Sequence, residues 1–423
     1  MEGVVRGMTV ADFYNGKKVL ITGHTGFKGS WLAEWLLTMG AKVTGLALPP
    51  PTKPALFDQL GLAARCDHRI GDIRDRTAVT RLVREVRPDF VFHLAAQPLV
   101  RRSYEQPVET YETNVMGTIN VLEALREADW RCAVVAVTTD KVYENREWVH
   151  GYRECDPLGG HDPYSSSKAA VEIAVASWRR SFFAGHPVRI ATARAGNVIG
   201  GGDWAQDRIL PDCIRALARG ETIPIRNPHS TRPWQHVLEP LSGYLWLAAC
   251  LSQPSTSALH GTPQPRTRAE AADLRPLTPD LDSTFNFGPE GDSNRSVREL
   301  VEVLLKYWPG RWADKSTTTA VHEAGQLHLS IDKARALLDW APSWSFADAV
   351  EQTVTWYRKA GEMTAPDAMR ALTVGQIDRY TESARRLGRV WAVDGVGRMR
   401  RLISFCCDKS QETHSRCKKG DQP

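Results

Sequence analysis

No stretch of this 423-residue chain approaches the roughly 18 consecutive apolar residues that a membrane-spanning helix requires. The longest apolar-looking piece, 241–251, is short and broken by Ser242 and Gly243, so it reads as a buried helix. The first 18 residues lack the apolar core of a secretion signal, and a cytoplasmic location is expected. The eight cysteines are scattered without a CxxC pair, and the histidines form no tight cluster. Neither a disulfide framework nor a metal site is expected. The main body also lacks a charge excess of one sign. Residues 385–423 carry ten Lys and Arg against four Asp and Glu, which accounts for the net charge of +5. The basic excess belongs to the tail and gives no reason to expect nucleic-acid binding. No internal repeat is present, which excludes a solenoid.

What remains is ordinary globular composition, 42% hydrophobic and 24% charged, with ample material for a core. The run at 17–22 (KKVLIT) reads as a buried parallel strand. Trp31, Leu32, Trp35, Leu36 and Met39 then recur at helical spacing, predicting an amphipathic helix over 27–39. A second strand follows at 41–48, which closes a βαβ unit of right-handed crossover. Further strands are predicted at 90–95, 132–138 and 188–193, with helices near 77–86, 108–128 and 165–183. This alternation predicts the α/β class: a Rossmann-type, doubly wound parallel sheet with a smaller C-terminal lobe. Past Gly200 the chain turns to loops rich in glycine, tryptophan and proline. Residues 252–283 read as a flexible insertion rich in Pro, Ser, Thr and Ala, followed by a strand at 284–289 and helices near 296–307 and 346–359.

The turn after the first strand, Gly23-His24-Thr25-Gly26-Phe27-Lys28-Gly29, is a GxxGxxG between a strand and a helix. In that context glycines let the backbone approach a pyrophosphate at the helix N-terminus, so nucleotide binding is expected. The acidic residue that commonly ends the second strand and holds a ribose hydroxyl is missing; the strand runs into Pro49, Pro50 and Pro51. NAD and NADP are therefore not separated by that rule. Arg65 or Arg69 could meet a 2′-phosphate or simply be solvated, and Gly71-Asp72-Ile73 reads equally as an adenine contact or a solvent-facing turn.

Tyr164 and Lys168 stand four apart at a helix start, on one face. A neighbouring ammonium is expected to lower the phenol's pKa and make it a base near neutral pH. Thr138-Thr139-Asp140-Lys141 closes the strand at 132–138, where chemistry sits in open α/β sheets, and Tyr164 follows Thr139 by 25 positions. Alone, Asp140-Lys141 would be a loop ion pair. Beside a nucleotide turn and a Tyr/Lys pair, it reads as catalytic.

Together the glycine turn, His93-Leu94-Ala95-Ala96, Asn114-Val115-Met116-Gly117-Thr118, Thr139-Asp140-Lys141 and Tyr164/Lys168 resemble the extended short-chain dehydrogenase/reductase family. The longer stretches at 23–32, 49–51, 138–145, 164–168 and 194–205 resemble its sugar-nucleotide 4,6-dehydratases. The resemblance covers about residues 14–380 and implies an N-terminal extension (1–13), an NAD-binding Rossmann domain (14–200) and a mainly substrate-binding lobe (201–384); by composition, 385–423 reads as a basic, disordered extension or an unrelated terminal sequence. It implies that Gly23, Thr25, Gly26, Phe27, Lys28 and Gly29 contact NAD, as do Asp72, Ile73, Leu94, Ala95 and Ala96. Asn114, Thr138, Tyr164 and Lys168 complete the implied cofactor set.

The implied reaction is a redox-neutral dehydration of a nucleotide sugar, with CDP-glucose the expected substrate. Tyr164 takes the C4-hydroxyl proton while hydride leaves C4, Lys141 is the base at C5, and Asp140 protonates the departing C6 hydroxyl. Thr139 orients the C4 oxygen. Lys141 must be neutral for its role, which demands desolvation or a cationic neighbour. The implied substrate contacts are Gln97, Thr139, Asn197, Arg208, Arg226 and Arg232, with Arg232 and Arg208 suited to a diphosphate. Trp204 and Trp234 fit base stacking and lobe core equally well. A homo-oligomer, dimer or tetramer, is implied, with the helices at 108–128 and 165–183 at its interface. No metal, nucleic acid or membrane partner is expected. A 4-epimerase, a different sugar-nucleotide dehydratase and a non-catalytic NAD-sensing Rossmann protein are the competing classes. The Asp-Lys step argues against the epimerase, and the intact Tyr/Lys pair argues against the sensor.

Overall fold

The computed structural model describes residues 9–253, 281–316 and 327–393. Mostly apolar segments, with the polar β3 at one edge, line up as one parallel sheet: β1 (Lys18–Thr22), β2 (Lys42–Ala47), β3 (Asp67–Ile70), β4 (Phe90–His93), β5 (Cys132–Val137), β6 (Val188–Arg194) and β7 (Thr284–Asn286). Their order is β7-β6-β5-β4-β1-β2-β3. The order reverses between β1 and β4, and ligands of such sheets sit beyond the strands' carboxyl ends at that switch. The register sets Thr22 beside His93 and His93 beside Ala136, so the turns after β1, β4 and β5 form one rim. All of β5 is buried, as expected of a strand covered on both faces.

The helices include, in chain order, α1 (Val10–Tyr14), α2 (Phe27–Thr38), α3 (Arg76–Val86), α4 (Val100–Glu105), α5 (Pro107–Tyr111), α6 (Gly117–Arg126), α7 (Pro163–Ser181), α8 (Ile209–Ala218), α9 (Leu238–Ser252), α10 (Val297–Tyr307), α11 (Phe346–Ala360) and α12 (Pro366–Arg386), with short helical pieces at Leu56–Gln59 and Asp332–Leu338 besides. Four differences from the sequence reading have physical causes. The expected amphipathic helix at 27–39 is buried all round over 29–36, because α9 and α12 cover the side that would have faced water. The helix expected at 108–128 is α5, a π turn at Glu112–Met116, and α6; such bulges turn a side chain inward, here Asn114. Residues 9–13 of the expected N-terminal extension are packed against the body. Thr9 and Asp12 form a capping box for α1, and Val10 and Phe13 are buried.

The fourth difference is at the other end. Residues 385–393 do not belong to a disordered tail. Trp391 is buried, stacks on Tyr380 of α12 and meets Trp35 edge-on, and its carbonyl accepts from Val10 N at 3.1 Å. The rest of that tail, 394–423, lies outside the described residues, as does most of the expected insertion, 254–280. The chain also returns to the sheet after Gly200: α9 packs on β5 and β6, and β7 pairs with β6. No described helix is long and apolar enough to cross a membrane, and no group of metal-ligating side chains is found among the described residues.

Candidate active site

The glycine turn between β1 and α2 is built for close backbone approach. Gly23 has φ +80°, and a Cβ there would meet Ala95 N at 2.7 Å. At Gly29 a Cβ would meet Gly23 O at 2.2 Å, so this glycine lets α2 lie against the turn. Gly26 is the N-cap of α2 and makes no side-chain cap, and a Cβ there would make only an ordinary contact, 3.5 Å from Gly23 O. An uncapped helix N-terminus of this kind suits a diphosphate, so the residues fit a dinucleotide. The Thr25 hydroxyl donates to Leu48 O at 2.9 Å, closing the turn against the end of β2. Behind the rim, Thr22, His93 and Thr118 form a buried chain (2.7 and 2.9 Å) that runs on from Thr118 to Asn114 O.

Several expected cofactor and substrate contacts are engaged within the protein. Asp72 pairs with Arg74 at 2.6 Å, and Ile73 is buried against Gly117. Asn114 accepts from Gln97 N at 2.8 Å and donates to Ser167 at 2.9 Å. The Gln97 amide donates to Leu99 O and to Thr110. Leu94, Ala95 and Ala96 lie on the rim itself and are partly buried. Arg65 is bidentate to Glu34, and Arg69 pairs with Asp67 and Glu85, so both arginines considered for a 2′-phosphate already hold carboxylates.

The carboxyl end of β5 brings the expected catalytic residues to a cavity of about 1890 Å³, lined by Lys28, Thr139, Asp140, Lys141, Tyr164, Asn197 and Arg208 among others. Asp140 is buried. Its Oδ1 accepts from the Thr139 hydroxyl at 2.9 Å and its Oδ2 from Asn197 Nδ2 at 3.0 Å. Gly196 lies against this carboxylate, and a Cβ there would come within 1.8 Å of it. Lys141 is partly exposed and faces the cavity. Thr138 is turned away from the cavity, donating to Glu172 at 2.5 Å.

The expected lowering of the Tyr164 pKa is not what the structure gives. Burial pushes the phenol up to about 12; Thr139, hydrogen-bonded to it, and Arg208 oppose this, while Asp140 and Asp162 add to it. Lys168 itself is pushed down to about 8, by burial first and then by Lys28, and its Nζ donates to Val137 O at 3.2 Å. Lys28 is pushed down to about 8 as well, by burial and by Arg208, against the pull of Asp140 and Asp203. Lys28, half-buried on the cavity wall, and Lys168, buried behind it, are thus both driven toward the neutral amine, and desolvation outweighs the proximity that the sequence spacing emphasised.

On the lobe side Arg208 pairs with the buried Asp203 at 2.8 Å. Arg226 and Arg232 line the cavity farther out, and Arg232 Nη1 donates to Thr231 O at 2.8 Å. Asp207, with φ +59°, accepts from Arg226 at 3.3 Å and from Arg101 of α4 at 2.9 Å, so one carboxylate joins the two walls. Trp204 packs edge-on to Tyr357 and donates to Gln59, which makes it lobe core. Trp234 is buried, donates to Arg295 O, and still forms part of the cavity wall. Sequence reasoning passed over Arg101 and Asp207, for which no local motif exists, and did not single out Gly196 within the stretch 194–205. It also passed over Glu172, whose signal was present: it stands one further turn along the Tyr164/Lys168 face.

A parallel sheet with a glycine turn at its switch point and a Thr/Asp/Lys–Tyr cluster facing one cavity defines an enzyme of the extended short-chain dehydrogenase/reductase class. The model of the GDP-mannose 4,6 dehydratase family matches residues 20–256, and the chain belongs to that family. It is 44% identical over 354 residues to CDP-glucose 4,6-dehydratase of Salmonella typhimurium, covering 82% of this chain and 92% of the relative. CDP-paratose 2-epimerase of Salmonella typhi is 27% identical, covering 80% and 98%. Among solved structures, dTDP-glucose 4,6-dehydratase of Streptomyces venezuelae superposes with a TM-score of 0.64 at 24% identity, covering 80% of this chain and 96% of that one. UDP-glucose 4-epimerase of Thermus thermophilus gives 0.65 at 23% identity, covering 80% and 98%. These two likenesses establish the fold.

Proposed function

We propose that the chain is a CDP-glucose 4,6-dehydratase, converting CDP-D-glucose to CDP-4-dehydro-6-deoxy-D-glucose and water. The observation that carries this is the cluster of Tyr164, Lys141 and Asp140 on one cavity beside the glycine turn, in a chain 44% identical to a dehydratase of that specificity. Two solved structures of the same fold, a dTDP-glucose 4,6-dehydratase and a UDP-glucose 4-epimerase, carry NAD, which supports NAD as the cofactor here.

NAD would lie along Gly23, Thr25, Gly26, Phe27, Lys28 and Gly29, with Lys168 and Tyr164 at its nicotinamide end. When bound, NAD would supply the hydride acceptor for C4 and the hydride donor for C6. Tyr164 Oη accepts the C4-hydroxyl proton, and Thr139 holds the C4 oxygen. Lys141 Nζ removes the C5 proton, made acidic by the adjacent ketone, and returns it to C5 when hydride arrives at C6. Asp140, fixed by Thr139 and Asn197, delivers a proton to the C6 oxygen as water departs. Arg208, Arg226 and Arg232 receive the diphosphate.

The enzyme is proposed to act as a homo-oligomer, dimer or tetramer. Val108, Met116 and Ile173 are exposed apolar side chains on α5, the π turn and α7, beside a shallow apolar depression that Pro107 and Val115 help to line. A cytoplasmic location suits the cysteines at 66, 132, 155, 213 and 250, all free thiols.

The test is to incubate purified protein with NAD and each of CDP-, UDP-, dTDP- and GDP-glucose, reading the alkaline absorbance of a 4-keto sugar. Product from CDP-glucose alone is expected. Product only from a different nucleotide would overturn the substrate assignment, and none from any of the four would overturn the reaction.

A further inference from the structure

We propose that Glu172 is a positioning residue for this reaction: buried beneath Lys168, it ties helix α7 to the ends of three strands and so fixes the catalytic segment that begins at Thr138. The proposal rests on the dehydratase reading above. Tyr164, Lys168 and Glu172 are successive members of one stripe along α7, spaced by one helical turn each. The first faces the cavity, and the last is buried away from it. Glu172 therefore reaches neither substrate nor reacting atoms.

Each oxygen of its carboxylate accepts two donors. Oε1 takes the Thr138 hydroxyl at 2.5 Å and Arg194 Nε at 3.0 Å. Oε2 takes the hydroxyls of Thr192 at 2.7 Å and Thr284 at 3.2 Å. These donors come from the residue after β5, from β6 twice, and from β7. One side chain of α7 thus holds the three neighbouring strands in register with the helix that carries Tyr164 and Lys168.

The segment Thr139-Asp140-Lys141 is held from its other end as well. The Arg194 guanidinium lies 4.7 Å over the Tyr143 ring, and the Tyr143 hydroxyl donates to Asn286 at 2.7 Å. Arg194 and Glu172 are both almost wholly buried and lie 3.0 Å apart. Taking two charges out of water costs several kcal/mol per ion, and an apolar pair of equal volume would commonly be as stable. A stabilising role does not account for an ion pair here; a geometric one does. The charge also acts on the site directly, since Glu172 opposes the burial that drives Lys168 toward its neutral form.

The experiment compares wild type with Glu172→Gln, Glu172→Asp and Thr138→Val in the full-length, NAD-loaded enzyme. Product formation from CDP-glucose by wild type is measured first, and its absence would sink the functional reading rather than this one. With wild type active, Glu172→Gln is expected to lower kcat about tenfold or more, with KM changed about twofold at most. The alkaline limb of its pH profile should move to lower pH, because the negative charge beneath Lys168 is gone. Glu172→Asp keeps the charge but is one methylene shorter, so it should lose kcat and leave that limb in place. Wild-type kcat together with an unmoved limb in Glu172→Gln would overturn the proposal. Should that variant not fold, Thr138→Val decides: it removes one hydroxyl of the tie, and an unchanged kcat there would overturn the proposal equally.

Discussion

Asn197 donates from Nδ2 to Oδ2 of Asp140 at 3.0 Å, and it does so from a left-handed backbone, φ +50°. Asn is among the few residues other than glycine that adopt this conformation readily. The position thus joins a backbone requirement to a side-chain requirement. Asn197→Ala should lose both the donor and the easy turn. Asn197→Gly should lose only the donor. Leaving a buried acceptor unsatisfied costs about 1–3 kcal/mol, so kcat should fall about 5- to 100-fold in both. Only the alanine variant should also melt lower. Thermal melts and initial rates on the two proteins check this; equal melting points with unequal rates would contradict it.

Gly196 offers a sharper test of how tightly Asp140 is held. A methyl group there would fall 1.8 Å from the Asp140 carboxylate, which is already fixed on both oxygens. Gly196→Ala should displace the acid and lower kcat about 100-fold or more, while cofactor affinity stays near wild type. A fluorescence titration with NAD beside the rate measurement separates the two effects.

Tyr164→Phe and Lys141→Ala should fail at different points. The first removes the proton acceptor at C4, so turnover should drop about 100- to 10,000-fold with no reduced cofactor accumulating. The second leaves C4 oxidation intact and blocks loss of the C5 proton. Its single-turnover trace should show the near-ultraviolet absorbance of reduced nicotinamide rising and persisting. A Lys141→Ala enzyme that makes 6-deoxy product at the wild-type rate would remove that lysine from the mechanism.

Stability should carry a pH signature from Glu239, buried in α9. It accepts from Trp344 N at 2.7 Å, from Ser343 N, and from the Tyr380 hydroxyl at 2.7 Å. Burial still outweighs these donors and raises it from 4.5 to about 7. A carboxyl raised in the folded state stabilises the fold while protonated, and that contribution is lost as pH rises from about 4.5 through 7. Glu239→Gln stays neutral throughout. Wild type should therefore lose stability relative to the variant over that window, by up to about 3 kcal/mol. Urea melts of both proteins across the window check the sign, and a pH-independent difference would refute it.

Six of the seven strands were legible because each is a short, largely apolar run, and the glycine turn because its spacing sits between a strand and a helix; β3 carries Asp67, His68 and Arg69 and gave no such signal. Tertiary burial was not legible in the same way. α2 carries an apolar stripe in sequence, yet the elements that cover its other side arrive from positions beyond 230. Trp391 looked like part of a basic tail because charge dominates the composition beyond 385, whereas the side chain that decides its placement stacks on Tyr380. Tyr164 and Lys168 were found by spacing, but spacing carries no information on desolvation, which sets the ionisation of both. Arg101 and Asp207 are 106 residues apart, and only the folded chain joins them.

That last pairing has a consequence for how an anion enters. Arg101 and Arg226 approach the same oxygen of Asp207 from opposite walls. Exposed pairs of this kind contribute at most about 1 kcal/mol, so the tie is easily broken. A diphosphate carries more charge than a carboxylate and more acceptor atoms. In the proposed substrate mode it would displace Asp207 and meet the two guanidinium groups that the carboxylate held inward.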